Sequence, residues 1–145
     1  MKIIAHRGNL RGPKPELENS PEYLLIAISK GYDVEVDVWY DKVREQLFLG
    51  HDYPKYPIED KKFLKNEHMW CHAKNLDALE FMLKNKIHCF WHEHDERTLT
   101  SKGYIWTYPY KDTVPEKSVI CMISPDDQAP KDCYGICTDW VTKHK

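Results

Sequence analysis

Short apolar runs bounded by turn residues dominate this chain, and eight of them read as β-strands: residues 2–6, 33–39, 46–51, 69–74, 88–92, 104–107, 118–123 and 135–139. The stretch Val119-Ile120-Cys121-Met122-Ile123 is apolar at every position, as in a strand covered on both faces. Two segments switch to helical spacing. In the first, Ser20 is the N-cap and Pro21 the first helical residue; Tyr23, Leu24, Ile26, Ala27 and Ile28 follow, and Lys30-Gly31 ends it. Asn75 caps the second, which carries Leu76, Leu79, Met82 and Leu83 at three-and-four spacing. A single turn is expected near residues 60–64, and the proline-bearing connectors 108–117 and 124–134 are expected to hold no full helix.

Strands joined early by helices predict an α/β fold, a reduced (β/α)8 TIM-type barrel with several outer helices missing. The 145 residues fall well short of the usual ~250 for that architecture. The structural alternative is an open α/β sheet whose last strands are antiparallel. No repeat, low-complexity tract or linker divides the chain, so residues 1–145 read as one domain.

Composition narrows the classes. With 41% apolar residues and a formal charge of −2, the chain reads as globular rather than disordered. No apolar run approaches the roughly 20 residues of a membrane span. The apolar start Ile3-Ile4-Ala5 ends at His6-Arg7, too short for a secretory leader, so a cytoplasmic protein is expected. A pI near 6.4 without a basic stripe argues against nucleic acid as a partner. Five cysteines, four of them in strand-like runs, read as small buried hydrophobes; a zinc site at Cys133 and Cys137 is the weaker reading.

The candidate chemistry lies at strand ends. In Val34-Glu35-Val36-Asp37-Val38, strand alternation puts both carboxylates on one face, and burying them side by side calls for a cation or a proton. Taken alone, such a pair also fits a solvated strand face. His6-Arg7-Gly8 closes the first strand with an imidazole and a guanidinium, suited to gripping an anion beside a proton donor. His51-Asp52 closes another. Thirteen residues separate Asp37 from His51, enough for an extended excursion down and back between parallel strands, but not for a helix.

Taken together, His6-Arg7-Gly8, Glu18-Asn19-Ser20, Gly31-Tyr32-Asp33-Val34-Glu35-Val36-Asp37 and His51-Asp52 resemble the glycerophosphodiester phosphodiesterase family. That family belongs to the wider group of barrel phosphodiesterases that includes phosphatidylinositol-specific phospholipase C. The likeness runs on more loosely through Lys74 and Gly135-Ile136-Cys137-Thr138-Asp139. It implies metal-dependent hydrolysis of a small glycerol- or sugar-type phosphodiester, with Glu35 and Asp37 on a divalent cation. His6 and His51 would be acid and base, Arg7 and Lys74 would face the phosphate, and Glu18 and Asp139 would organise the rim. Where the family has E-x-K, this chain has His72-Ala73-Lys74, which places an imidazole at a metal position. The cation is then Mg²⁺, Ca²⁺ or Mn²⁺, with Zn²⁺ also compatible with a nitrogen ligand.

The residue types suit the reaction independently. A cation and an arginine neutralise a phosphodiester and the charge that grows on it, and two imidazoles divide the proton work. The alternatives are the cyclising or transphosphatidylating chemistry of phospholipase D-type toxins, or a phosphate-ligand binding module without turnover. His92 and His94 project to one side of a strand and offer a second metal site, or else a place in the barrel mouth. Later strands left without helices would expose apolar faces, from which a homodimer is expected.

Overall fold

The computed structural model describes residues 1–144. In chain order its elements are β1 (Lys2–His6), α1 (Pro21–Ser29), β2 (Asp33–Asp41), β3 (Gln46–Leu49), β4 (Tyr56–Ile58), β5 (Met69–Ala73), α2 (Leu76–Lys84), β6 (Cys89–Phe90), β7 (Arg97–Leu99), β8 (Ile105–Thr107), β9 (Ser118–Cys121) and β10 (Gly135–Thr138). Ser20 and Asn75 cap the two α-helices through their side chains, at Tyr23 N and Ala78 N respectively. A 3₁₀ turn at Lys61–Lys65 follows its own cap, Asp60.

All ten strands join one curled, mixed sheet, a half-barrel. Parallel ladders link β6, β5, β2, β1, β10, β9 and β8 in that spatial order. Three ladders are antiparallel, β3 on β2, β4 on β3 and β7 on β8, so that β3 and β7 run against the rest. This overturns the expected (β/α)8 TIM-type barrel. Helices cross over only between β1 and β2 and between β5 and β6, and the connectors after β8 and β9 hold none. The open-sheet alternative also misplaces the antiparallel strands, because β9 and β10 are parallel to their neighbours.

The long strand β2 organises the sheet. Asp33 to Glu35 pair with β1, Val38 to Asp41 pair with β3, and Val34 to Val38 pair with β5. Its outward valines pack against Leu24 and Ala27 of α1 and Ala78 and Met82 of α2 in the main core. Fully burying one such side chain is worth about 1.5–3 kcal/mol. The concave face is filled by a second cluster that includes Ile4, Trp70, Phe90, Trp106, Val119 and Cys137. β6 and β8 share no ladder; Phe90 and Trp106 stack across that gap with ring centroids 4.6 Å apart.

On the outside of β9 and β10, Ile120, Met122 and Ile136 are buried with Cys133 of the connector between them, and the partly buried Ala129 packs against this group. The exposed late-strand faces behind the homodimer expectation are therefore covered there. No helix among the described residues is long and apolar enough to cross a membrane.

Candidate active site

Alternation along β2 turns Glu35 and Asp37 to the concave face, where they are 3% and 1% exposed. One oxygen of each, Glu35 Oε1 and Asp37 Oδ1, is buried without a hydrogen-bond partner. Leaving buried anions uncompensated costs on the order of several kcal/mol per ion. Register then supplies the third group, because β5 pairs with β2 so that His72 stands opposite Asp37. His72 Nδ1 lies 3.1 Å from Asp37 Oδ1, and Nε2 lies 3.0 Å from the His92 carbonyl oxygen. A carbonyl oxygen only accepts, so Nε2 carries a hydrogen, and when Nδ1 gives up its own proton its lone pair faces the carboxylates.

One ligand atom from each of Glu35, Asp37 and His72 lies within 4.8 Å of the others, the only such cluster among the described residues. Unpartnered carboxylate oxygens beside an imidazole lone pair fit a divalent cation, and a carbonyl on the far nitrogen is the usual support for a histidine ligand. The two carboxyls are driven apart. Burial and then the Asp37 charge push Glu35 up, against the opposing fields of His6, His72 and Arg7. Burial works against ionisation of Asp37 too, but the facing His51 and His72 imidazoles and the Arg7 charge hold it well below the usual carboxylate range.

His6 closes β1 beside this cluster. Its Nδ1 lies 2.8 Å from Asp139 Oδ1, so Nδ1–H donates there, while Nε2 is 3.8 Å from Glu35 Oε2. Burial disfavours the imidazolium, but the Asp139 bond and the Glu35 and Asp139 charges outweigh it and raise the His6 pKa. Arg7 follows with a left-handed backbone, φ 54°, its N–H bonded to the Glu35 carbonyl. Its guanidinium is spoken for: Nη1 donates to Glu18 at 3.1 Å, Nε is 3.3 Å from Asp37 Oδ2, and Nη2 is 3.3 Å from His51 Nε2. Arg7, expected to face a phosphate, is thus held against Glu18, Asp37 and His51.

His51 reaches the site by a different path from the one expected. β2 runs on past Asp37, turns, and returns as antiparallel β3, so that Gly50 N–H bonds the Asp37 carbonyl and His51 Nδ1 comes within 3.5 Å of Asp37 Oδ2. A hairpin, rather than an excursion between parallel strands, fills the thirteen residues.

Two asparagines without an assigned role in the sequence reading complete the arrangement. Asn19, with φ 68°, donates from Nδ2 to Asp37 Oδ2 and accepts the Asp37 N–H at Oδ1, both at 2.9 Å. Asn9 donates to Glu18 and Asp139 and accepts from the Tyr23 hydroxyl. Asn19 stands inside a quoted motif and tolerates the left-handed region, which is the one local signal it gave. Asn9 gave none. Glu18 accepts from Arg7, and Asp139 accepts from His6.

A cavity of about 740 Å³ opens above the cluster, lined among others by His6, Asp37, His51, His72 and Lys74. Lys74 makes no ion pair among the described residues. His92 and His94 line the cavity mouth as well, with His92 Nδ1 held 2.6 Å from Asp95. Cys133 and Cys137 belong to different clusters, one outside the sheet and one within it. Comparison with known proteins finds no family model, curated protein or solved structure that matches this chain.

Proposed function

We propose that this chain is a phosphodiester hydrolase working with a divalent cation, similar in its site to the glycerophosphodiester phosphodiesterases. The observation that carries the reading is the convergence of two unpartnered carboxylate oxygens and the Nδ1 face of His72 between two further histidines. Glu35, Asp37 and His72 would hold the cation. When bound, it neutralises the phosphate and stabilises the negative charge that builds up there. Lys74 adds a free positive charge at the cavity wall for the same anion.

His6 and His51 divide the proton transfers. Asp139 fixes the His6 ring through Nδ1, which leaves Nε2 to take or give a proton on the cavity side. Arg7 orients His51 by donating to its Nε2. The substrate is a small phosphodiester with a glycerol- or sugar-type alcohol. Following a glycerol phosphodiester by ³¹P NMR, after chelation and after return of Mg²⁺, Ca²⁺, Mn²⁺ or Zn²⁺, tests the reading. Monoester formation that depends on one of these cations supports it. Cation binding without turnover replaces it by a phosphate-binding module, and a persistent cyclic phosphate replaces it by lyase chemistry.

A further inference from the structure

Most of the charged and imidazole groups around the cavity stand on one side of it; Asp139 at the end of β10, bonded to His6, and His92 after β6, bonded to Asp95, border the other side. β1, β2 and β5 and the residues at their ends bring His6, Arg7, Glu35, Asp37, His72 and Lys74. Across from them β8 and β9, with the residues that follow, bring Trp106, Tyr108, Cys121 and Ile123 and no ionisable group except thiol and phenol. Burial pushes the Cys121 thiol well above its ordinary pKa, so it stays neutral. This wall grades outward. Trp106 is 5% exposed at its floor, while Tyr108 is 45% and Ile123 61% exposed at its mouth. Cys121 and Cys137 stand in register beside Trp106, and their small side chains leave the space open. Glu93 and His94 line the mouth too, but both are exposed and keep their water.

We infer that the substrate is an amphiphilic phosphodiester. Its phosphate and small polar arm lie on the charged side, and an alkyl arm runs from Trp106 past Cys121 to Tyr108 and Ile123. The inference rests on the hydrolase reading for its reaction and on the cavity wall for its substrate. A polar wall would hold a sugar or a second glycerol by hydrogen bonds. Here an alkyl chain instead removes apolar surface from water at several points, and each methylene so held is worth about tenfold or more in discrimination. The cavity, at about 740 Å³, lies in the upper part of the range for clefts that hold drug-sized ligands.

The experiment compares glyceryl methyl phosphate with glyceryl octyl phosphate, kept below micelle formation, by ³¹P NMR in the presence of the activating cation. It also measures binding of methyl phosphate and octyl phosphate by calorimetry. The octyl diester is expected to have a kcat/KM at least about tenfold higher, and octyl phosphate to bind correspondingly tighter. In Ile123→Asp and Tyr108→Ser, both at exposed positions, that preference is expected to fall at least about fivefold. Equal handling of both chain lengths overturns the inference and leaves the hydrolase reading standing. If neither diester is cleaved yet octyl phosphate still binds preferentially, the hydrolase reading fails and the amphiphile site stands. No preference in either measurement overturns the inference outright.

Discussion

His72 shows how one hydrogen-bond acceptor decides what an imidazole can do. The His92 carbonyl takes the Nε2 hydrogen, and Nδ1 is thereby committed to the carboxylates. Loss of a group that merely supports a metal ligand costs about 10–100-fold in affinity. His72→Ala should therefore weaken divalent-cation binding by at least that much in isothermal titration, with Glu35→Gln and Asp37→Asn behaving alike. Without added cation, Glu35→Gln has the opposite sign on stability. It removes a buried charge that its surroundings disfavour and is expected to raise stability by about 1–2 kcal/mol in urea unfolding. For His6, Asp139→Asn keeps the shape but substitutes an amide for the accepting carboxylate, so kcat should fall by about 10²–10⁴-fold if His6 moves a proton. An unchanged kcat would remove His6 from the chemistry. The acidic pair and the flanking histidines were legible in the sequence because strand alternation and strand ends are local patterns. Asn9 was not, since its partners Asp139 and Tyr23 lie far along the chain and any exposed loop asparagine reads the same.

Asn75 joins two elements with one side chain. Its Oδ1 caps α2 at Ala78 N and also accepts the Tyr40 N–H of β2, while Nδ2 donates to the Tyr40 carbonyl. Losing a cap alone costs about 1 kcal/mol, and the bonds to β2 add to it. Asn75→Ala is thus expected to destabilise by about 2–3 kcal/mol in denaturant unfolding; a loss confined to the cap value would show that the link to β2 carries no weight. Gly8 serves a similar joint. With φ 89°, it lies where an added Cβ would come within 2.8 Å of the Tyr23 ring, so β1 and the start of α1 can meet only across a bare backbone. All eight expected strands exist, yet β4 and β7 were missed. Each has three residues, too few to show an alternating pattern, and β4 is interrupted by Pro57. The direction of β3 was misjudged for another reason. An apolar run shows that a strand forms, but which neighbour it joins is settled by contacts distant in sequence.

At the scale of the whole molecule, the two ends of the sheet answer acid differently. Opposite the proposed active site, His88 packs on Trp70 and Tyr104 and bonds Thr100, with Lys102 and Asp33 the charged groups that act on it. Burial, and then the Lys102 charge, lower its pKa from 6.5 to about 4. The unfolded chain takes up this proton first, so the stabilising contribution is whole above pH 6.5 and is lost as the pH falls through about 4. His88→Gln should flatten that part of the curve. The drop in urea midpoint between pH 7 and pH 5 is expected to be smaller in the variant than in the parent, and equal drops would remove His88 as a source of acid sensitivity.

The unpaired edge between β6 and β8 has a mechanical corollary. A sheet that curls without a ladder at one seam has a built-in line of weakness, held by an aromatic stack, the paired bonds between Ser101 and Cys89 and side-chain bonds from Thr98 and Thr100 rather than by a row of amides. Thermal opening is expected to begin there and spread into the short strands on either side. Deuterium should then enter β6 and β7 well before β1, β2 and β10, which form the rigid spine against which that flap can breathe.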